Sequence, residues 1–341
     1  LAIIAHWASI DEANKLTQST LLAGIVQEVY EEGQLLQKLP VTQINSISLK
    51  WNREKTLPGA DFIGELEQIA WRSDVEYGPQ VEAALKRVVR QDALDRMRQL
   101  TYRNPNEYRA VMTSQLAKGC MRTIEDGLVY GDVRVNAKSF DGLHALVDTT
   151  MVIDGGEVPL RMTGPFSLRA LEERVKPKPD MYYTSRAIHN RISDAAMFGV
   201  NSGAANFFVG SSGIGWMPSD FGMRVPAYGG VPIYYSDYFV AEQANTGALA
   251  IPRTARAKYT TGVIQYSIFA CRLGQIEDGG LNLLIGDGTG GPNFFDVIEF
   301  EVLEDFDAGG IRLVAYTALA NGSTKAIGAI MDITDAPVTL S

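Results

Sequence analysis

The residues able to do chemistry are scattered rather than assembled. Gly286 to Gly291, GDGTGG, is the one glycine-rich run that resembles a phosphate cradle, but it lacks the Lys-Ser/Thr pair that completes a P-loop. Pro292 and a strand-like Phe294-Phe295 follow where a helix would be needed, so a turn is the better reading and a nucleotide site the lesser one. His6, His144 and His189 are the only histidines, far apart and without a Cys, Asp or Glu at metal-ligand spacing. Neither a zinc site nor a Ser-His-Asp triad is expected. Ser193-Asp194 and Ser211-Ser212-Gly213 look nucleophilic only in isolation, because no GxSxG elbow is present. The adjacent carboxylates Glu31-Glu32 and Glu172-Glu173 suit solvated helix faces better than acid/base pairs. No catalytic, cofactor-binding or metal-binding residue is therefore named, no cofactor is implied, and the chain reads as a non-enzyme.

What remains is a large chain without a visible reaction centre. Its 341 residues suffice for one large domain or two to three smaller ones, and 46% hydrophobic with 21% charged residues is ordinary globular composition. No run approaches the roughly 18 consecutive apolar residues of a membrane helix, and LAIIAHWASIDE lacks the features of a signal peptide, so a soluble, unsecreted protein is expected. The two cysteines, Cys120 and Cys271, sit in apolar settings and are expected as buried, reduced thiols. A net charge of −9 without a block of Lys and Arg argues against tight nucleic-acid binding.

The elements follow from periodicity. Asn104, Pro105 and Glu107 supply an N-cap, a first-turn proline and a capping-box acid, and Tyr108, Val111, Met112, Leu116, Cys120 and Ile124 form one apolar ridge. Gly127 is placed to end this helix, predicted over 105–126 and about 33 Å long, with Arg109, Gln115, Lys118, Arg122 and Glu125 on its other faces. Ile10 to Leu39 is predicted largely helical, with an apolar stripe that has no sequence-adjacent partner. Alternation through Ile47, Leu49 and Trp51, a charged loop, and a second run over Val81 to Arg90 predict two long strands without a core of their own. Further on, Ser167 and Ser185 cap helices flanking the apolar strand Asp180 to Thr184, and Val231 to Tyr235 is another strand. Residues 199–222 form a Gly- and Ser-rich loop of a length that is usually functional. Long strands return at the end: Ile298, Phe300 and Val302 alternate with Glu299 and Glu301, Gly309-Gly310 turns into IRLVAYTALA, and a last strand runs from Lys325 to Ile333.

In order, these segments resemble one family. LLQKLPV, LKWNREKTLPG, IEDGLVYGD, NAKSFDGL, YGGVPIYYSDYF and VLEDFDAGGIRLVAYTALANGSTKAIGAI together resemble a tailed-phage major capsid protein of the Hong Kong 97 type, over nearly the whole chain. The resemblance implies an α+β fold with an N-terminal arm (1–43) and an extended β-hairpin loop (44–93). A peripheral domain (94–165 and 292–341) would carry the spine helix, with an axial α/β domain over 166–291. It implies a homo-oligomeric shell of hexamers and pentamers enclosing viral double-stranded DNA without tight sequence-specific binding, with portal and scaffolding or decoration proteins as partners. Such a protein is assembled in the host cytoplasm and located in the virion capsid, without membrane contact.

Some relatives join a hairpin lysine to a neighbour's asparagine. Lys50, Lys55 and Lys86 with Asn321 occupy comparable stretches, and solvent or salt-bridge lysines are the plainer reading. The absence of Met at position 1 is what proteolytic removal of an N-terminal segment, as in such relatives, would leave, and equally what a start within a longer chain would leave. A bacterial encapsulating nanocompartment shares the fold and is the alternative, and a nucleotide-using enzyme at Gly286 to Gly291 is the alternative of another class.

Overall fold

The computed structural model describes residues 33–56, 58–65, 76–95, 97, 108–198, 214–218, 224–239, 242–243, 264–286, 294–302 and 307–339. Most of the expected N-terminal helix therefore lies outside the described residues, as do the capping residues Asn104, Pro105 and Glu107 and most of the 199–222 loop. The described chain enters at Gly33, which bridges to Ser236, and makes one helical turn, Leu35–Lys38. Leu39 is extended, as a residue before proline is driven to be, and Pro40 ends the turn. β1 (Val41–Ile44) then pairs in parallel with β12 (Leu281–Gly286).

The long hairpin is formed by β2 (Ser48–Thr56) and β3 (Glu76–Ala84), antiparallel from Ser48 opposite Ala84 to Thr56 opposite Glu76, with the register shifting on either side of Glu54. The single return strand expected over Val81 to Arg90 is divided at Leu85. Beyond it the chain changes partner, and β4 (Lys86–Asp95) runs along β14 (Ala308–Asn321). β14 is also the strand in which Gly309-Gly310 lies, so those glycines make no turn: Gly310 is paired with Phe300 of β13 (Asp296–Phe300) and with Ala93 of β4. β13 and β12 share one edge of β14 while β4 takes the other, and this three-sided pairing accounts for its nearly continuous burial.

The spine helix runs over Tyr108–Tyr130 in the described residues, about 35 Å at 1.5 Å per residue. The end expected at Gly127 is not there. Gly127 is inside the helix, and a Cβ on it would stand 3.0 Å from Cζ of Phe140, so its smallness admits the returning ring rather than terminating the helix. The helix packs on β14 as its ridge requires: Met112, Leu116 and Cys120 form one buried cluster with Ile311 and Leu313. Further along, Ile124, Leu128 and Val129 join the main core with Leu35, Leu283 and Ala315. Glu125, expected on a wet face, is buried.

The second sheet has the order β5-β15-β11-β6-β9-β8-β7, with β10 also on β11. Its strands are β5 (Val152–Arg161), β6 (Met181–Ser185), β7 (Ile214–Pro218), β8 (Arg224–Tyr228), β9 (Val231–Ser236), β10 (Glu242–Gln243), β11 (Ile264–Cys271) and β15 (Ile327–Thr339). Two helices lie against it, Leu168–Arg174 and Arg186–Phe198, burying Leu168, Leu171, Ile188 and Ile192 in a core with Tyr182 and Ile233. The Ser167 hydroxyl accepts from the Ala170 amide at 3.3 Å, and the Ser185 hydroxyl from the Ile188 amide at 3.4 Å, as N-caps do. β12 belongs to the sheet of the spine helix, and β15 belongs to the eight-stranded sheet beside β5.

Candidate functional site

The chemistry-bearing residues are not brought together. His6, Glu31-Glu32 and Ser211-Ser212-Gly213 lie outside the described residues, and of GDGTGG only Gly286 is described, as the last residue of β12. Ser193 and Asp194 line an open groove of about 470 Å³ with Arg191, Met197 and Asp335, across which Arg191 Nε reaches Asp335 Oδ1 at 2.7 Å. His189, on the same helix, is packed 4.9 Å from the Tyr235 ring, and burial lowers its pKa. Glu173 pairs with Arg169 at 3.5 Å and Glu172 with Lys178 at 3.4 Å, which is the solvated-face role. Among the described residues no group of three or more His, Cys, Asp or Glu is arranged to hold a metal. Both cysteines are buried free thiols, and burial pushes the Cys271 thiol up to about 12, far from reactivity.

His144 is the exception that sequence reading missed. It is buried in the main core with Nε2 3.0 Å from Oε1 of buried Glu242, and it stacks on Tyr130 with centroids 5.0 Å apart. Tyr130 donates its hydroxyl to Glu242 at 2.9 Å, and Ser267 donates to the other oxygen at 2.5 Å. A carboxylate so deep needs such donors. These four residues come from the end of the spine helix, the short helix Leu143–Leu146, β10 and β11, so the cluster fastens the spine helix to the eight-stranded sheet. Glu242 has no sequence signature, being 98 residues from His144, and only the fold makes them neighbours.

The hairpin stands partly on the core and partly in the open. Leu49, Trp51 and Ala83 pack its base on the main core. Above them Arg53 of β2 donates to two carbonyls at the end of β14, Nε to Gly322 at 3.0 Å and a terminal nitrogen to Asn321 at 2.6 Å. Farther out, among the described residues, Phe62 is wholly exposed, and Ile63 and Tyr77 are exposed as well. The lysines weighed for cross-linking are engaged within the subunit. Lys50 pairs with Glu82 at 3.2 Å, Lys55 with Glu76 at 2.7 Å, and Lys86 donates to the Ala137 carbonyl at 2.8 Å. Asn321 is 3% exposed and paired with Leu281 rather than presented in a turn. The salt-bridge reading fits these positions.

Glu125 was also misread, although a signal was present. Leu128 and Val129 stand three and four residues beyond it, so the apolar stripe widens there to include its position.

No family model matches the sequence, and no curated protein matches it in sequence. Solved structures do match the fold from end to end. An encapsulin complex of Synechococcus elongatus PCC 7942 superposes with a TM-score of 0.64 at 15% identity, covering 100% of this chain and 99% of that one. The capsid of an empty GTA particle gives 0.61 at 10% identity, covering 96% and 98%. A structure from Mycobacterium phage Adephagia gives 0.59 at 12% identity, covering 95% and 97%. The similarity takes in hairpin, spine helix and both sheets at once, over whole chains, which is a match of architecture rather than of a shared substructure. The chain has the Hong Kong 97-type fold of capsid and encapsulin shells.

Proposed function

We propose that the chain is the major capsid subunit of a tailed phage, assembling into hexamers and pentamers of an icosahedral shell around double-stranded DNA. The observation that carries this reading is the hairpin: two nine-residue strands, paired with each other, whose described outer residues include the exposed Phe62 and Ile63. An isolated two-stranded ribbon is marginal in water, and apolar surface of this kind is ordinarily covered by another subunit. The acidic balance, −9 overall, suits a container whose wall must not hold its DNA. The division into arm (1–43), extended loop (44–93), peripheral domain (94–165 and 292–341) and axial domain (166–291) is part of the proposal. So are the absence of enzymatic activity, portal and scaffolding or decoration proteins as partners, and assembly in the host cytoplasm.

A nanocompartment holding cargo protein is the second reading, favoured by the full-length likeness to an encapsulin. Expression of the full chain followed by negative-stain microscopy and analysis of particle contents tests both. Closed particles tens of nanometres across support a shell, and persistent monomers across salt and pH overturn it. Shells co-produced with the neighbouring genes that protect DNA from nuclease support the phage reading, and shells that instead retain a defined protein support the compartment.

A further inference from the structure

Glu125 is a carboxyl group in the wrong place for its charge. It is 5% exposed on the spine helix, covered by the chain from Gly33 to Leu39. The cover is close: a Cβ added to Gly33 would lie 2.5 Å from Cδ of Glu125. One oxygen, Oε1, accepts the Leu36 amide at 3.0 Å. The other, Oε2, is buried with no hydrogen-bond partner among the described residues. Among the described residues the ionisable groups around it are few. Tyr183 on β6 is kept neutral by its own burial, and Lys38 on the covering turn holds its ammonium 5.2 Å from the centre of the Tyr234 ring. Arg122 and Asp126 are the nearest charges in sequence on the spine helix itself.

We propose that Glu125 is a proton-linked latch for the segment Gly33–Leu39: the neutral carboxyl lets this segment close on the spine helix, and ionisation loosens it. A buried carboxylate with a single donor lacks the pairing its charge requires, whereas a carboxylic acid needs less. Burial accordingly raises the pKa of Glu125 from 4.5 to about 7, the Leu36 amide opposing the shift. A raised folded value means that closure is fully stabilised below the open-state pKa of 4.5 and is lost as pH rises toward 7. Between pH 5.5 and 8 the closed-to-open ratio should fall about 30-fold. The segment is the joint between everything that precedes Gly33 and the body of the fold. Its closure is therefore set by proton concentration, whatever a shell of this chain encloses.

The test is limited trypsin cleavage after Lys38, with the fragment followed by mass spectrometry on the full-length protein from pH 5.5 to 8. Rates are normalised to an unstructured peptide of the same sequence. The wild type should become about 30-fold more susceptible with rising pH. Glu125→Gln keeps an acceptor for the Leu36 amide and cannot ionise, so it should show a flat, protected profile. A wild-type profile that does not change with pH overturns the proposal. So does a Glu125→Gln profile that rises as the wild type does, which the circular dichroism of the variant would show to come from a folded protein.

Discussion

Arg53 offers the sharpest test of how the hairpin is held. It stands five residues up β2 from Ser48, about 17 Å from the hairpin base at 3.3 Å per residue, so its two bonds act at the end of a lever. Removing a charged donor from a backbone carbonyl costs about 1.5–3 kcal/mol per bond, and Arg53 makes two, to Gly322 and Asn321. The full sum overstates the effect. Burial of the guanidinium opposes its charge, an opposition that Asp148 offsets in part, and the group is only half buried. About 2–3 kcal/mol remains, or a 30- to 150-fold shift from the fastened to the released hairpin in Arg53→Ala. Leu49, Trp51 and Ala83 still pack the base, so release should affect the hairpin outward of Arg53 and leave the body intact. Spin labels on Phe62→Cys and Val135→Cys, both exposed sites, report it, since Cys120 and Cys271 are buried. The wild type should give a narrow distance distribution and Arg53→Ala a broad one, with Arg53→Lys between them because an ammonium cannot span two carbonyls as a planar fork does. Equal widths in wild type and Arg53→Ala would refute the assignment of Arg53 as the fastening.

Three further substitutions address the body. Leu116, buried against Ile311 and Leu313, should lose about 2–5 kcal/mol as Leu116→Ala in urea unfolding, and Leu116→Asp should yield no folded protein; Gln115→Ala on an exposed face is the control, expected within about 0.5 kcal/mol of wild type. Gly127→Val drives a branched side chain into the Phe140 ring and should cost about 1–3 kcal/mol, whereas a gain in melting temperature would mean that the ring moves aside freely. Ser167→Ala removes the cap of Leu168–Arg174 and should cost about 0.5–2 kcal/mol, read as a lower melting temperature with an unchanged far-ultraviolet spectrum.

What could be read from the sequence was what nearby residues decide. Ser167 and Ser185 cap their helices through amides three residues away, and the ridge from Met112 to Ile124 repeats with the helical period, so both were legible without any tertiary knowledge. The hairpin was legible for a related reason, since its alternation and its missing core are both local. Misreadings occurred where a distant residue decides. Gly127 reads as a helix end until Phe140, thirteen residues later, is found on it. Gly309-Gly310 reads as a turn until β4 and β13 are found paired to either side. Glu125 reads as solvated until Gly33 and Leu36 close over it, and Glu242 carried no signal at all before the fold set it beside His144.

These long-range attachments share one element, and that gives the spine helix a more specific role than a strut. Its first turns rest on β14 through Met112 and Leu116, and β14 in turn carries β4, the continuation of the hairpin. Its last turns face other parts: Glu125 receives the segment after Gly33, and Tyr130 is bonded to Glu242 on the strand attached to β11. A displacement of the hairpin can therefore reach the N-terminal joint and the eight-stranded sheet through one helix. Packed interiors resist continuous deformation, so such a helix transmits a shift as a body rather than absorbing it. Two polar attachments lie on this path, the half-buried Arg53 with its two carbonyl bonds at the hairpin and the singly bonded Glu125 at the joint. A load on the hairpin should open these polar attachments before the apolar contacts of Leu116, Leu128 and Val129.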